Sequence, residues 1–114
     1  MRLINQTRNT CLASEVVFAG TPFSRIKGLL GKNSLPDGCG LVIKPCNCIH
    51  TFFMRFAIDV LFVDRNNQVV NALDRIGPFR FSKLHWKSQI VVELPSGKIN
   101  STQTKSGDQL QFLD

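Results

Sequence analysis

Apolar residues fall in short runs separated by turn-forming residues, a pattern that suits strands better than long helices. Residues 2–7 and 11–18 read as two short strands, with Asn9 and Thr10 able to turn the chain between them. Thr21-Pro22 then offers a helix start, Thr as N-cap and Pro as the first helical residue, where its missing N–H costs nothing. Phe23, Ile26, Leu29 and Leu30 recur at helical spacing and Gly31 stops them, predicting a helix over 22–30. Beyond the turn residues Pro36-Asp37-Gly38, the chain reads as strands at 40–44, 49–53, 58–64, 69–76, 89–94 and 109–113. A hairpin turn is expected at 65–68, with further turns at 95–97 and 106–108. The expected fold is therefore mainly β, α+β at most. It is a small barrel or sandwich of six to eight short strands with one short helix near residues 22–30.

The length of 114 residues fits a single domain over 1–114, and no repeat or linker interrupts it. With 43% hydrophobic and 19% charged residues the composition is that of a globular protein able to bury a core without staples. Apolar stretches such as 60–63 and 90–92 fall far short of the ~20 residues needed to span a bilayer. The N-terminus turns polar at once, so the cytoplasm is the expected compartment. There, Cys11, Cys39, Cys46 and Cys48 are expected as free, mostly buried thiols. A formal charge of +6 permits attraction to anionic partners without demanding it.

Several blocks resemble the domain of unknown function 192 family of bacteria and archaea. Arg25-Ile26-Lys27-Gly28-Leu29-Leu30-Gly31 is similar to its helix signature, and Gly40-Leu41-Val42-Ile43 to one of its strands. The strongest match is the central block over 49–64, which includes His50, Thr51, Phe52, Met54, Ile58, Asp59, Val60 and Phe62. Pro78-Phe79-Arg80, the stretch 92–97 and Gly107-Asp108 complete the likeness, which covers the chain from Ser14 onward. Ala57 departs from it, standing where the family often has Pro. The resemblance implies a compact β-rich fold and names no substrate, cofactor or partner.

Cys46, Cys48 and His50 alternate and could share one face of a strand, which raises a metal site. Residues two apart on a regular strand lie ~6.6 Å apart, whereas ligands ~2.3 Å from zinc bring their sulfurs within roughly 4 Å of one another. No metal is expected, nor any other cofactor. A cysteine nucleophile beside His50 lacks any local signature. Asp59 and Glu93 as a paired acid and base is conceivable, with nothing in the sequence to fix their separation.

The polar residues of the central block carry the favoured functional reading. Arg25, His50, Arg55, Asp59 and Glu93 are the candidate ligand-binding residues, lining a cleft for a polar or anionic ligand. The bland reading is structural, with Asp59 capping or pairing, Arg55 solvated and His50 satisfied in the core. Arg25, near the edge of the apolar face of its helix, is expected to approach Asp59 or Glu93 beside a pocket also touched by His50 or Arg55. Residues 75–87 interleave Arg75, Arg80, Lys83 and Lys87 with Phe79, Phe81 and Trp86, which suits single-stranded nucleic acid. Against that stands a loop whose aromatics tuck into the core while its charges stay wet. The sequence thus favours a small cytosolic binding or accessory module for an unidentified ligand or protein partner. Its alternatives are a single-strand binder using Arg75, Phe79, Arg80, Lys83, Trp86 and Lys87, and a small hydrolase-type enzyme using His50 and Asp59.

Overall fold

The computed structural model describes residues 1–19, 35–44, 56–77 and 82–114. Those residues form eight strands in two sheets and one short helix. Strands β1 (Arg2–Asn5), β2 (Thr10–Ala13) and β8 (Leu110–Leu113) make the smaller sheet, in the order β2-β1-β8. The larger sheet runs β3-β4-β7-β5-β6, from β3 (Glu15–Ala19), β4 (Cys39–Ile43), β5 (Ile58–Val63), β6 (Val69–Ile76) and β7 (Ile90–Pro95). Helix α1 spans Lys98–Thr102. The arrangement is a sandwich rather than a closed barrel, and mainly β as the periodicity implied.

The strand expected over 11–18 is two strands. Its chain crosses from the smaller sheet to the larger at Ser14, whose backbone N–H donates to the Gly38 carbonyl at 2.8 Å. The hairpin expected at 65–68 is present between β5 and β6, held by the Asp64 carboxylate accepting the amides of Asn66 and Gln68. The helix expected over 22–30 and the strand expected over 49–53 lie outside the described residues. Helix α1 was not legible: it begins after Gly97, held at φ 95°, and its five residues show no apolar repeat.

The main core lies between the sheets. Leu3, Leu12 and Leu110 from the smaller sheet meet Val42, Leu61, Val63, Val92 and Leu94 from the larger, with Ile99 of α1 closing one side. Gly40 marks a close approach: a Cβ there would stand 3.0 Å from that of Ala13 and 3.3 Å from Leu94 Cδ2. A second cluster covers the other face of the larger sheet, built from Leu41, Ile43, Ile58, Val60, Phe62 and Val91. The central strands β5 and β7 are buried on both faces, which is why they read as continuous apolar runs, each broken by a single acid.

Strand direction decides where the long connections go. β3 and β4 are parallel, and β7 opposes both β4 and β5. β6 also opposes β5 and so runs with β7. The links β3 to β4, β4 to β5 and β6 to β7 therefore each leave one end of the sheet and re-enter at the other. Their described ends pack on the second face. Leu35 and Phe56 lie against its cluster, and His85 stacks on Phe62 with ring centroids 3.7 Å apart.

Candidate functional site

Asp59 and Glu93 are the polar residues of the two central strands, and neighbouring pairs place them side by side: Asp59 opposite Leu94, Val60 opposite Glu93. Alternation sends them apart. Asp59 shares its side of β5 with Leu61 and Val63 of the inter-sheet core, whereas Glu93 shares its side of β7 with Val91 of the second cluster. The two carboxyls leave opposite faces of one sheet. They do not form an acid–base couple, and they do not line one cleft together.

Asp59 is a structural clasp. It is wholly buried, and its two oxygens each accept a backbone amide, from Arg75 at 2.9 Å and from Ile99 at 2.7 Å. The first bond secures Arg75 at φ 53°, where β6 is irregular. The second satisfies an orphan donor in the first turn of α1, which has no side-chain cap of its own. This is the capping role that the bland reading of the sequence allowed.

Glu93 is also buried but lacks such partners among the described residues. It is 6% exposed, and its Oε2 has no hydrogen-bond partner among the described residues. Its cross-strand neighbours are Leu41 and Val60, both apolar. Burial in these surroundings penalises the charged form and pushes the carboxyl up to about 7. The group is thus poised to gain or lose its proton near neutrality, on the face against which the described ends of three connections pack.

The remaining ligand candidates, Arg25, His50 and Arg55, lie outside the described residues, as do Cys46 and Cys48. Arg25 belongs to the first of the three connections, and His50 and Arg55 to the second. Among the described residues no group of three His, Cys, Asp or Glu side chains is placed to hold a metal ion, and Cys11 and Cys39 are free thiols, the first exposed and the second half-buried rather than buried as expected.

Of the basic-aromatic residues, Phe79, Arg80 and Phe81 lie outside the described residues. Trp86 is not tucked into the core: it is 84% exposed, with Lys83 and Lys87 exposed beside it in sequence. Arg75 does not belong with them, since it lies on β6 with its Nε 4.0 Å from the Asp74 carboxylate. His85, which sequence reasoning passed over, anchors this loop. Its Nδ1–H donates to the Lys83 carbonyl at 2.8 Å, and its Nε2 accepts from Asn71 Nδ2 at 3.1 Å. Asn71 Oδ1 is taken by the Ala72 amide at 2.9 Å, which sets the amide orientation and with it the imidazole tautomer. A lone His in a polar stretch gave no sign of this burial.

Comparison with known proteins agrees with the fold. The model of the domain of unknown function 192 family, described as uncharacterized ACR, matches residues 3–112. The chain belongs to this family. A UPF0127 protein of Thermococcus sibiricus is 30% identical over 96% of this chain and 73% of its own. A UPF0127 protein of Pyrococcus furiosus is also 30% identical, over 96% of this chain and 97% of its own. The crystal structure of a protein of unknown function from Novosphingobium aromaticivorans superposes with a TM-score of 0.83 at 18% identity, covering 97% of this chain and 82% of that one. None of these names states an activity, so membership fixes the fold and leaves the chemistry to the site. Among the described residues no helix is long and apolar enough to cross a membrane.

Proposed function

We propose that the protein is a small binding module whose polar ligand docks against Glu93, on the face of the larger sheet that carries the described ends of the three connections. One observation carries this reading: a nine-tenths buried carboxyl in the middle of the sheet, with Oε2 unpartnered among the described residues and only apolar neighbours across the strands. Buried polar groups are ordinarily satisfied, and an orphan kept at a cost to stability is the mark of a functional group. Glu93 asks for a hydrogen-bond donor or a cation. Arg25, His50 and Arg55, which belong to two of those connections, are the residues to test as contacts for acceptor or anionic groups of the same ligand. Catalysis through His50 and Asp59 is disfavoured, since both Asp59 oxygens are committed to backbone amides. The free thiols of Cys11 and Cys39 accord with a reducing compartment, and we place the module in the cytoplasm.

The test is Glu93→Leu, compared with wild type by urea unfolding at pH 8 and by thermal shift with inorganic phosphate, glucose and glutamine as probes. A binding residue that burdens the fold gives a variant at least as stable as wild type, with any probe-induced rise in melting temperature lost. A variant less stable than wild type by about 2 kcal/mol or more marks Glu93 as a structural partner and contradicts the reading.

A further inference from the structure

The loop over 82–89 carries features that the Glu93 site does not use. Its inward side is fixed: His85 is buried against Phe62 and bonded to Asn71 and Lys83, and the Ser88 amide donates to the His85 carbonyl at 2.9 Å. Ser88 Oγ donates to the Ile90 carbonyl at 2.9 Å, tying the loop to the start of β7. The outward side is Leu84, 42% exposed, and Trp86, between the exposed Lys83 and Lys87. The largest side chain of the protein is therefore held in water on a clamped backbone, where it adds nothing to the core. A rigid mount reduces the ordering entropy that docking an aromatic would otherwise cost.

We propose that this loop is a docking knuckle for single-stranded nucleic acid, with the Trp86 indole stacking on a base and Lys83 and Lys87 meeting adjacent phosphates. Two flanking lysines on a chain of net charge +6 select an anionic partner. One indole face is sufficient for base stacking, which tolerates any sequence. Anchoring to a bilayer scales with buried apolar area, and two side chains offer little of it. The docking residues Lys83, Trp86 and Lys87 are not those of the Glu93 site, and each reading has its own variants and readout, so the two fail independently.

Trp86 is the sole tryptophan, so its emission reads the knuckle directly. The experiment titrates the full chain with single-stranded oligothymidylate at low salt. Saturable quenching that is reversed by salt is expected. The double variant Lys83→Glu, Lys87→Glu should keep the far-UV spectrum and the free-protein emission while weakening affinity by about tenfold or more. Trp86→Ala, followed by anisotropy of a labelled oligonucleotide, should bind roughly five- to a hundredfold more weakly. Absence of quenching at low salt overturns the proposal, as does unchanged affinity in either variant. A blue shift with phosphatidylserine vesicles and no response to the oligonucleotide also overturns it and assigns the loop to a membrane surface.

Discussion

Asp59 accepts two backbone amide protons in a fully buried setting, so replacing it by Asn turns one acceptor into a donor facing an N–H. Asp59→Asn is expected to destabilise by about 2–4 kcal/mol in urea unfolding, since a buried amide is left unpaired and the charge at the first turn of α1 is removed. A near-neutral result would show that neither amide depends on it. Asp108 is held in the opposite balance from Glu93. Burial pushes its carboxyl up, but hydrogen bonds from the Asn5 side chain, the Lys105 amide and Arg8, with the Arg8 charge, outweigh that and hold it below 3.8. The folded carboxyl therefore binds its proton less readily than the unfolded one. Its contribution is present above about pH 4 and is lost as pH falls further. Asp108→Asn is expected to flatten the acid limb of stability below that pH, measured by denaturant unfolding at several pH values.

Among the elements, the join between the sheets is tightest where Gly40 of β4 faces Ala13 of β2. Gly40→Val drives branched methyls into the Ala13 Cβ and Leu94, and a loss of about 1–3 kcal/mol from overpacking is expected. A variant as stable as wild type would mean the sheets separate there at no cost. The apolar runs of β5 and β7 and the turns after Asp64 and Pro95 were plain in the sequence because two-sided burial and turn chemistry leave local marks. The division of residues 11–18 at Ser14 was not, because the step between sheets is set by a bond to the distant Gly38. Nor was α1, whose first turn depends on Asp59, forty residues away. The same limit applies to the site. Glu93 was legible as an acid inside an apolar run, but only the pairing of β4, β7 and β5 shows that it leaves the sheet opposite to Asp59. The exposure of Trp86 had no signal at all, since a core tryptophan between lysines would read identically.

At the scale of the molecule, the two faces of the larger sheet divide the work. One is sealed by the smaller sheet and α1 and holds the fold together; the other carries the described ends of the three connections and Glu93, whose Oε2 has no partner among the described residues. That division has a consequence for stability against pH. Glu93 is pushed from 4.5 in its ordinary state to about 7 in the fold, so the native chain binds more protons than the unfolded chain between those values. The Glu93 contribution to stability is then highest below about pH 4.5, falls as pH rises to 7 and levels off above, by about 3 kcal/mol in all. A ligand that supplies a donor or a cation to the carboxyl would restore part of that loss above pH 7. The most direct measurement is the difference in unfolding free energy between wild type and Glu93→Gln from pH 4.5 to 8, in which other titrating groups cancel. The expected result is a gain for the variant that grows with pH across that window and then stops. A difference that stays constant with pH would show Glu93 charged and satisfied throughout, and would contradict the placing of the ligand site on its face.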